Sequence, residues 1–431
     1  MYKKIAITLF LAVATLHTVF WLANEAVAAP LDVCPSGCTY ATIQSAVDNA
    51  MPFDVINVSA ETYAENVVIS KSLTIHGADP SSTIVDGTDT DSVFTIEGSI
   101  AVTLTNLTIT NGNASLPTRF GGGIYVESAD VTLDNVIVSN NSAISGGGVY
   151  SRGGDIIIRD SRIMNNYVST TSSFASGGGI YVDDNGSDLA QVLIINTAVV
   201  NNGVYSAVSA GGGGINSSAS SLIIENSLIS GNLSLGGATI GSAGGIFVNG
   251  DSDSVTKTVT IVNSTISENS ADYIGGGIYA TNSAEITLAN STIVSNTANT
   301  LGGGIFLGDN SSASLRNMLT ALNSPQDCVE GGGFFHSHDH NLDSDDTCGL
   351  TEANDLPATS PLIGPLQDNG GPTETHALVE NSPAINAGSN ADCPSQDQRG
   401  LIRPQGFVCD IGAYEFDEGT KFAYLPMIIR E

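Results

Sequence analysis

The stretch GGGIYATNSAEITLANSTIVSNTA, residues 275–298, contains the pattern that decides the fold of this chain. Ile286 and Leu288 alternate with more polar neighbours, Asn290 follows them, and a second short apolar segment ends close to Asn296. Alternation with a period of two predicts a β-strand with one buried face. The glycine run opens a third short strand, and no part of the stretch has a helical period. The stretch therefore predicts three short strands separated by tight corners.

Eight copies of this unit follow one another, with 25 to 37 residues between equivalent positions. An asparagine column marks those positions and comprises Asn106, Asn135, Asn196, Asn226, Asn263, Asn290 and Asn317, with Asp160 in the third copy. An aliphatic residue stands two positions earlier in every copy: Leu104, Leu133, Ile158, Ile194, Ile224, Ile261, Leu288 and Leu315. A second asparagine follows six positions after the first: Asn141, Asn166, Asn202, Asn232, Asn269 and Asn296. These columns predict that like residues of successive copies lie over one another.

Three strands in each copy are typical of one coil of a parallel β-helix. We expect an all-β chain, a right-handed parallel β-helix built as a three-sheet solenoid of roughly nine to eleven coils. Asparagine suits corners that need a left-handed backbone, and stacked asparagine side chains can hydrogen-bond along the solenoid. The sequence TIQSAVDNA, residues 42–50, predicts an amphipathic helix that caps the N-terminal end. An irregular region is expected at the C-terminal end.

The ends of the chain predict export. Lys3 and Lys4 precede a long apolar stretch, and the small residues Ala26 and Ala28 form a cleavage site, so residues 1–29 are expected to be a secretory signal peptide. A retained membrane anchor is the alternative, and no span is expected after cleavage. We further expect an N-terminal cap with the first coils over residues 30–100, the repeats over 101–335, a C-terminal region over 336–416, and a linker with a tail over 417–431. The tail YLPMIIRE is either an attachment signal or a final strand.

The net charge of −31 argues against nucleic acid and anionic membranes as partners. It fits a secreted, extracellular or cell-surface monomer that binds extracellular polysaccharide or the cell envelope. Six cysteines in an exported chain indicate disulfides, and pairing between chain neighbours is the simplest arrangement: Cys34 with Cys38, Cys328 with Cys348, and Cys393 with Cys409. The sequence alone leaves that connectivity open.

Three regions resemble known bacterial families. Residues 42–77 resemble the N-terminal region of pectin-lyase-like β-helix proteins, and units such as residues 275–298 resemble the parallel β-helix repeats of bacterial surface proteins. The motifs GPLQDNGGPTETHAL (364–378), SPAINAG (382–388), DQRG (397–400) and CDIGAYEF (409–416) resemble the choice-of-anchor Q domain, a module found with β-helix repeats and surface-attachment signals. Asn386 stands where that pattern usually has aspartate. The resemblance implies a domain architecture and no particular activity.

The candidates for catalysis lie in one outward column of the repeats. Asp134 and Arg159 would be neighbours on adjacent coils, and Glu225 lies further along the same column. Polysaccharide lyases of this fold use Ca²⁺ held by acidic residues together with a basic side chain, whereas hydrolases need paired carboxylates. The competing interpretation of Asp134 and Arg159 is an exposed salt bridge, which we favour.

Aromatic residues follow the glycine runs, and they form the candidate binding surface: Tyr125, Tyr150, Tyr181, Phe247, Tyr279 and Phe306. A stacked outward row of rings is a contact surface for carbohydrate or protein, while the alternative is rings that only stack on each other. Oxygen-rich loops offer calcium ligands at Asp183, Asp184, Asp188, Asp251 and Asp253, and the segment DSDD at 343–346 is similar. The alternative is solvated acidic loops, and no other cofactor is expected.

These observations favour a secreted or cell-surface, non-catalytic β-helix protein for adhesion, matrix or glycan binding. A polysaccharide lyase or glycoside hydrolase acting on acidic glycans is one alternative. A structural component of a surface layer is the other.

Overall fold

The computed structural model describes residues 31–417, apart from 115–119, 172–173, 184–189, 207, 220, 237–239 and 251–256. The predicted signal peptide and the C-terminal tail lie outside these residues, so both remain predictions. Within the described part the chain winds as a right-handed parallel β-helix of ten complete coils, as the repeats predict. Among the described residues, no helix has the length and apolar character needed to cross a bilayer.

Three long parallel sheets form the wall of the solenoid, and each coil contributes one strand to each sheet in chain order. Sheet A has twelve strands: Leu31–Val33, Val55–Val58, Leu73–Gly77, Ala101–Thr105, Asp130–Asp134, Ile156–Arg159, Gln191–Ile195, Ser221–Glu225, Thr258–Val262, Glu285–Ala289, Ser312–Arg316 and Phe334–Ser337. Sheet B has eleven: Glu61–Ala64, Thr83–Asp86, Thr108–Thr110, Ile137–Ser139, Arg162–Met164, Ala198–Val200, Leu228–Ser230, Thr265–Ser267, Thr292–Val294, Leu319–Ala321 and Leu342–Asp343. Sheet C has ten: Val67–Ile69, Phe94–Glu97, Ile124–Glu127, Val149–Arg152, Ile180–Asp183, Ile215–Ser217, Ile246–Asn249, Ile278–Thr281, Ile305–Gly308 and Cys328–Gly331.

The core is a set of aliphatic columns inside these three sheets. Leu104 pairs in register with Leu133, and Leu133 pairs with Ile158 on the next coil. All three side chains are fully buried. The predicted stacking of like residues is therefore confirmed, and the outward side chains of each strand are those that alternate with these columns.

Two smaller parallel sheets form a lateral extension of the coil between sheets B and C, which we call the fin. Sheet D contains Ser142–Ala143, Tyr167–Thr170, Gly203–Ser206, Leu233–Gly236, Ser270–Ala271 and Thr297–Ala298. Sheet E contains Phe174–Ser176, Ser209–Gly211 and Ile240–Ser242. A small core of Val168, Ala175, Val204 and Ala210 joins the two sheets. Sheet E uses the extra residues of the longer repeats, whereas sheet D also has strands in the shorter ones.

Corners of the coil are made by the two asparagine columns in different ways. Residues of the first column, from Asn106 to Asn317, all have a positive φ between 46° and 57°. Their side chains make separate contacts, such as Asn135 Nδ2 to Asn106 Oδ1 at 2.7 Å. The second column forms the continuous ladder, in which each Nδ2 donates to the Oδ1 of the next coil at 2.9–3.1 Å from Asn141 to Asn323. The ladder ends where Asn323 donates to Asp327 at 2.8 Å.

A short helix covers the N-terminal end of the solenoid. It spans Ile43–Asn49, and Thr42 caps it by accepting a hydrogen bond from the Ser45 amide at 3.2 Å. Ile43, Ala46 and Val47 are buried against the first coils. The predicted cap is thus present, and it shields the apolar interior that would otherwise open to solvent at this end.

The C-terminal region folds back along the outside of sheet B, and we call residues 360–416 the strap. It holds an antiparallel pair, Ile363–Gln367 with Thr375–Leu378, and a short 3-10 turn at Asn390–Asp392. Leu366 packs on Ala198 and Leu228, while Ile411 packs in a cluster with Leu319. The outward residues of sheet B are consequently buried in these coils, whereas Arg162 in an earlier coil is exposed.

Buried charges hold the strap together. Arg403 and Glu415 lie 3.4 Å apart with side chains that are 0% and 1% exposed. Arg399 pairs with Asp397 at 2.7 Å and stacks over the ring of Tyr414 at 3.5 Å. Asp397 and Arg399 belong to the DQRG motif, and Tyr414 and Glu415 belong to CDIGAYEF, so these motifs encode the fold of the strap. The strap leaves the outer faces of sheets A and C as the long open surfaces of the solenoid.

Candidate binding surface

The aromatic row predicted from the glycine runs lies on the outer face of sheet C. Tyr125, Tyr150 and Tyr181 occupy equivalent positions on three successive coils. The rings of Tyr125 and Tyr150 are parallel with centroids 5.7 Å apart, and Tyr181 meets Tyr150 edge-on at 5.4 Å. Phe120 stacks on Tyr150 at 4.7 Å, which leaves Tyr150 only 4% exposed. Self-stacking therefore accounts for Tyr150, while Tyr125 and Tyr181 remain partly exposed on either side of it.

The row continues on later coils after an interruption. Asn216 is buried at the equivalent position of the coil after Tyr181. Phe247 and Tyr279 then approach at 5.1 Å, and Tyr279 meets Phe306 edge-on at 5.5 Å. The aromatic surface thus has two patches, and the one nearer the N-terminus has charged residues beside it.

A charged row runs parallel to the first patch, two residues further along each strand. It consists of Glu97, Glu127, Arg152 and Asp183, which lie in register. The Tyr125 hydroxyl donates to Glu127 Oε2 at 2.9 Å, and the Tyr150 hydroxyl donates to Asp183 Oδ2 at 3.4 Å. Arg152 Nε lies 4.0 Å from Asp183 Oδ2. The aromatic motif could have revealed this charged row from the sequence, because side chains two positions apart lie on the same face of a strand.

The environment keeps these tyrosines neutral. Burial, followed by the hydrogen bond to Glu127 and its negative charge, raises the pKa of Tyr125 to about 12. Burial also raises the pKa of Tyr150, with a further contribution from the charge of Asp183. The patch consequently presents neutral tyrosine rings, with hydroxyl groups held by Glu127 and Asp183, beside three carboxylates and one guanidinium.

The structure brings together two of the three catalytic candidates. Arg159 Nη2 lies 2.8 Å from Asp134 Oδ2 on the outer face of sheet A, and the side chains are 50% and 31% exposed. This hydrogen bond raises the pKa of the Arg159 guanidinium. Ile195 lies between Arg159 and Glu225 in the register of the sheet. An exposed salt bridge describes this geometry, and it stabilises the fold by at most about 1 kcal/mol.

Of the predicted calcium ligands, Asp183 belongs to the charged row beside Tyr150. Asp184, Asp188, Asp251 and Asp253 lie outside the described residues. A different group forms at the C-terminal end of the solenoid, where single carboxylate oxygens of Asp327, Asp343 and Asp345 lie within 4.8 Å of one another. The sequence pattern pointed to the DSDD segment but not to Asp327, because Asp327 comes to lie beside that segment only when the last coil has folded.

Hydrogen bonds within the protein already use this carboxylate group. Asp327 accepts from Asn323 and from the Ser344 hydroxyl, and Asp343 accepts from the Cys348 amide at 2.8 Å. Burial raises the pKa of Asp343 to about 7. The three carboxylates therefore end the asparagine ladder, next to the disulfide between Cys328 and Cys348.

Three disulfides join the cysteines that are neighbours along the chain: Cys34 with Cys38, Cys328 with Cys348, and Cys393 with Cys409. The simplest pairing is thus the one present. Disulfides of this kind are typical of proteins that fold and remain in an oxidising, extracellular environment.

Comparisons with known proteins find one family model and several solved structures that are similar to this chain. A family model described as a right handed beta helix region matches residues 169–320. Among solved structures, pectate lyase Pel9A is similar with 16% identity and a TM-score of 0.46, covering 91% of this chain and 97% of its own. A pectin methylesterase from Yersinia enterocolitica has 12% identity and a TM-score of 0.36, over 68% of this chain and 94% of its own. Pectin methylesterase PemA from Erwinia chrysanthemi has 14% identity and a TM-score of 0.34, over 76% and 91%. A comparison with curated proteins finds no match.

Proposed function

We propose that this chain is an extracellular, non-catalytic protein that binds a neutral polysaccharide along sheet C. The observation that carries the proposal is the patch in which Tyr125 and Tyr181 lie partly exposed beside Glu127, Arg152 and Asp183. The strap, whose motifs resemble the choice-of-anchor Q domain, would connect the rod to the cell surface.

The chemistry of the patch suits a sugar. The C–H faces of a pyranose ring pack against an aromatic ring, while its hydroxyl groups need both donors and acceptors at the edge of that ring. Tyr125 and Tyr181 supply the rings, and the charged row supplies acceptors with one donor, Arg152. Because the net charge is −31, a polyanionic glycan would be repelled, so a neutral polysaccharide is the ligand class that fits.

The β-helix also lowers the cost of binding. Its strands hold Tyr125 and Tyr181 on fixed coils, two coils apart, so little side-chain or backbone ordering remains to be done when a ligand arrives. A rigid row of this kind favours an extended ligand that contacts several coils at once.

Binding of the full-length mature protein to a panel of neutral and acidic polysaccharides tests the proposal. We expect a neutral polymer to bind, and the double variant Tyr125→Ala, Tyr181→Ala to lose at least roughly tenfold in affinity. Arg159→Ala on sheet A is the control with a similarly exposed side chain, and it should bind as the parent does. Absence of binding to every neutral polymer, or equal binding by the double variant, would overturn the proposal.

The same panel distinguishes the alternatives. A lyase centred on Asp134 and Arg159 would release unsaturated products from an acidic glycan, and Arg159→Ala would abolish that release. A structural surface-layer component would bind no glycan and would assemble with itself, which light scattering detects.

A further inference from the structure

The fin carries exposed aromatic residues that the solenoid does not require. Tyr167 is 46% exposed and Tyr205 is 43% exposed, both on the outer face of sheet D. Coils such as the one that contains Thr297–Ala298 contribute a sheet D strand and no sheet E strand, yet their three main sheets are complete. Sheet D is thus present in these shorter coils as well, and the extra residues of the longer coils form sheet E; Val168 and Val204, next to the tyrosines, pack in a cluster separate from the main core.

The side chain of Tyr205 folds back over Gly203 of its own strand, and the missing Cβ of the glycine allows this. A Cβ atom placed on Gly203 would lie only 2.8 Å from Tyr205 Cε2 and 3.1 Å from its hydroxyl oxygen, so the ring covers the glycine. The tip of the ring therefore lies close to the backbone at Gly203, while Tyr205 as a whole stays 43% exposed. Gly203 is also the register partner of Tyr167, which places the two tyrosines beside each other on adjacent coils.

A hollow of about 260 Å³ opens next to Tyr167. Its polar lining comes from Asn113, Ser142 and Ser169, and Ile144 lies on its apolar side. Of the lining residues that the structure describes, none is charged. An amide, hydroxyl groups and a flat aromatic surface are together the groups that hold a neutral sugar ring, which offers C–H groups on its face and hydroxyl groups around its edge.

We propose that Tyr167, Tyr205 and this hollow form a second carbohydrate subsite that takes pyranose rings of a neutral polysaccharide. The ligand class rests on the proposed function, while the residues are distinct from the sheet C patch. Tyr205 supplies a flat ring surface, Tyr167 forms the wall of the hollow, and Ser142, Ser169 and Asn113 bind the hydroxyl groups. A charged glycan has no ionic partner among these residues.

The test is titration of the full-length mature protein with oligosaccharides of the neutral polymer, comparing four variants. Tyr167→Ala with Tyr205→Ala should weaken binding roughly tenfold, whereas Tyr205→Phe should bind as the parent does because it keeps the ring. Gly203→Ala should also weaken binding, since the added Cβ displaces the Tyr205 ring without removing it. The sheet C double variant provides the comparison for the other site, and circular dichroism verifies that each variant is folded.

The outcomes separate the two proposals. If the sheet C variant loses binding and the fin variants do not, this subsite is refuted and the proposed function remains. The subsite is supported if binding is lost in the Tyr167→Ala, Tyr205→Ala double variant and in Gly203→Ala but kept in Tyr205→Phe. If the sheet C variant also keeps binding in that case, the sheet C patch is refuted. If Tyr205→Phe binds as weakly as the Tyr167→Ala, Tyr205→Ala double variant, the ring surface is not the contact and the subsite is refuted. If no neutral oligosaccharide binds the parent protein, both proposals fall.

Discussion

Removal of one asparagine from the interior ladder should be among the most destabilising single substitutions in the solenoid. Asn232 is fully buried in the middle of the second column. Its Oδ1 accepts from the backbone amide and the Nδ2 of Asn202 at 2.9 and 3.1 Å. Its Nδ2 donates to Val199 O and to Asn269 Oδ1, both at 2.9 Å. The substitution Asn232→Ala removes these four hydrogen bonds; Asn202 Nδ2 keeps its bond to Ile163 O and Asn269 Oδ1 keeps the one from the residue 232 amide, while the Asn202 amide and Val199 O lose their side-chain partner.

The number of hydrogen bonds lost gives the expected decrease in unfolding free energy. A buried hydrogen bond contributes about 1 kcal/mol, and an unpaired buried partner costs somewhat more, so the variant should lose about 4 kcal/mol of unfolding free energy. The matched control is Asn135→Gly in the first column. Glycine accepts the positive φ of 54° at this position, and the change removes one partly exposed contact to Asn106, so it should cost under about 1 kcal/mol.

Urea unfolding followed by circular dichroism measures both variants, and hydrogen exchange locates the effect. Because each coil of a solenoid contacts only its neighbours, exchange should accelerate around Asn202 and Asn269 and stay slow near Asn141. Equal unfolding free energies for Asn232→Ala and Asn135→Gly would refute the argument that the second ladder stabilises the coil corners. So would uniform acceleration of exchange along the whole chain.

Three further predictions concern charge and cross-links. Burial raises the pKa of Asp410 from 3.8 to about 7, so the stability from this group is complete below about pH 4 and is lost as the pH rises to 7. Asp410→Asn should therefore flatten the fall in unfolding free energy between about pH 4 and about pH 7, and an unchanged slope would contradict this. Replacing Cys328 and Cys348 by serine opens the last coil and should cost roughly 3 kcal/mol, as measured by urea unfolding against the unreduced parent. Arg159→Ala should change the unfolding free energy by under about 1 kcal/mol, since its partner Asp134 is also exposed; a loss several times larger would mean that the pair has a role beyond a surface ion pair.

Much of the solenoid was predictable from the sequence because its contacts are periodic. Leu104 meets Leu133 for the same reason that Leu133 meets Ile158: each lies one coil further along, at the equivalent position. Alternation along a strand then specifies which side chains point outward, and Tyr125, Tyr150 and Tyr181 were assigned to one face on that basis. The asparagine columns were visible in the same way, although the sequence did not show that the second column forms the continuous ladder.

The non-periodic contacts came only from the tertiary structure. Asp327 meets Asp343 at the end of the last coil, the strap covers one half of sheet B, and Tyr205 lies over Gly203 beside Tyr167. Each of these depends on how an irregular segment leaves the solenoid and returns to it, and no repeat encodes that path. The sequence by itself determined the coil and the aromatic row of sheet C, since every repeat contributes the same strand pairing. The strap, the hollow beside Tyr167 and the carboxylate group of the last coil were decided by the tertiary structure, because their contacts occur once each and leave no pattern along the chain.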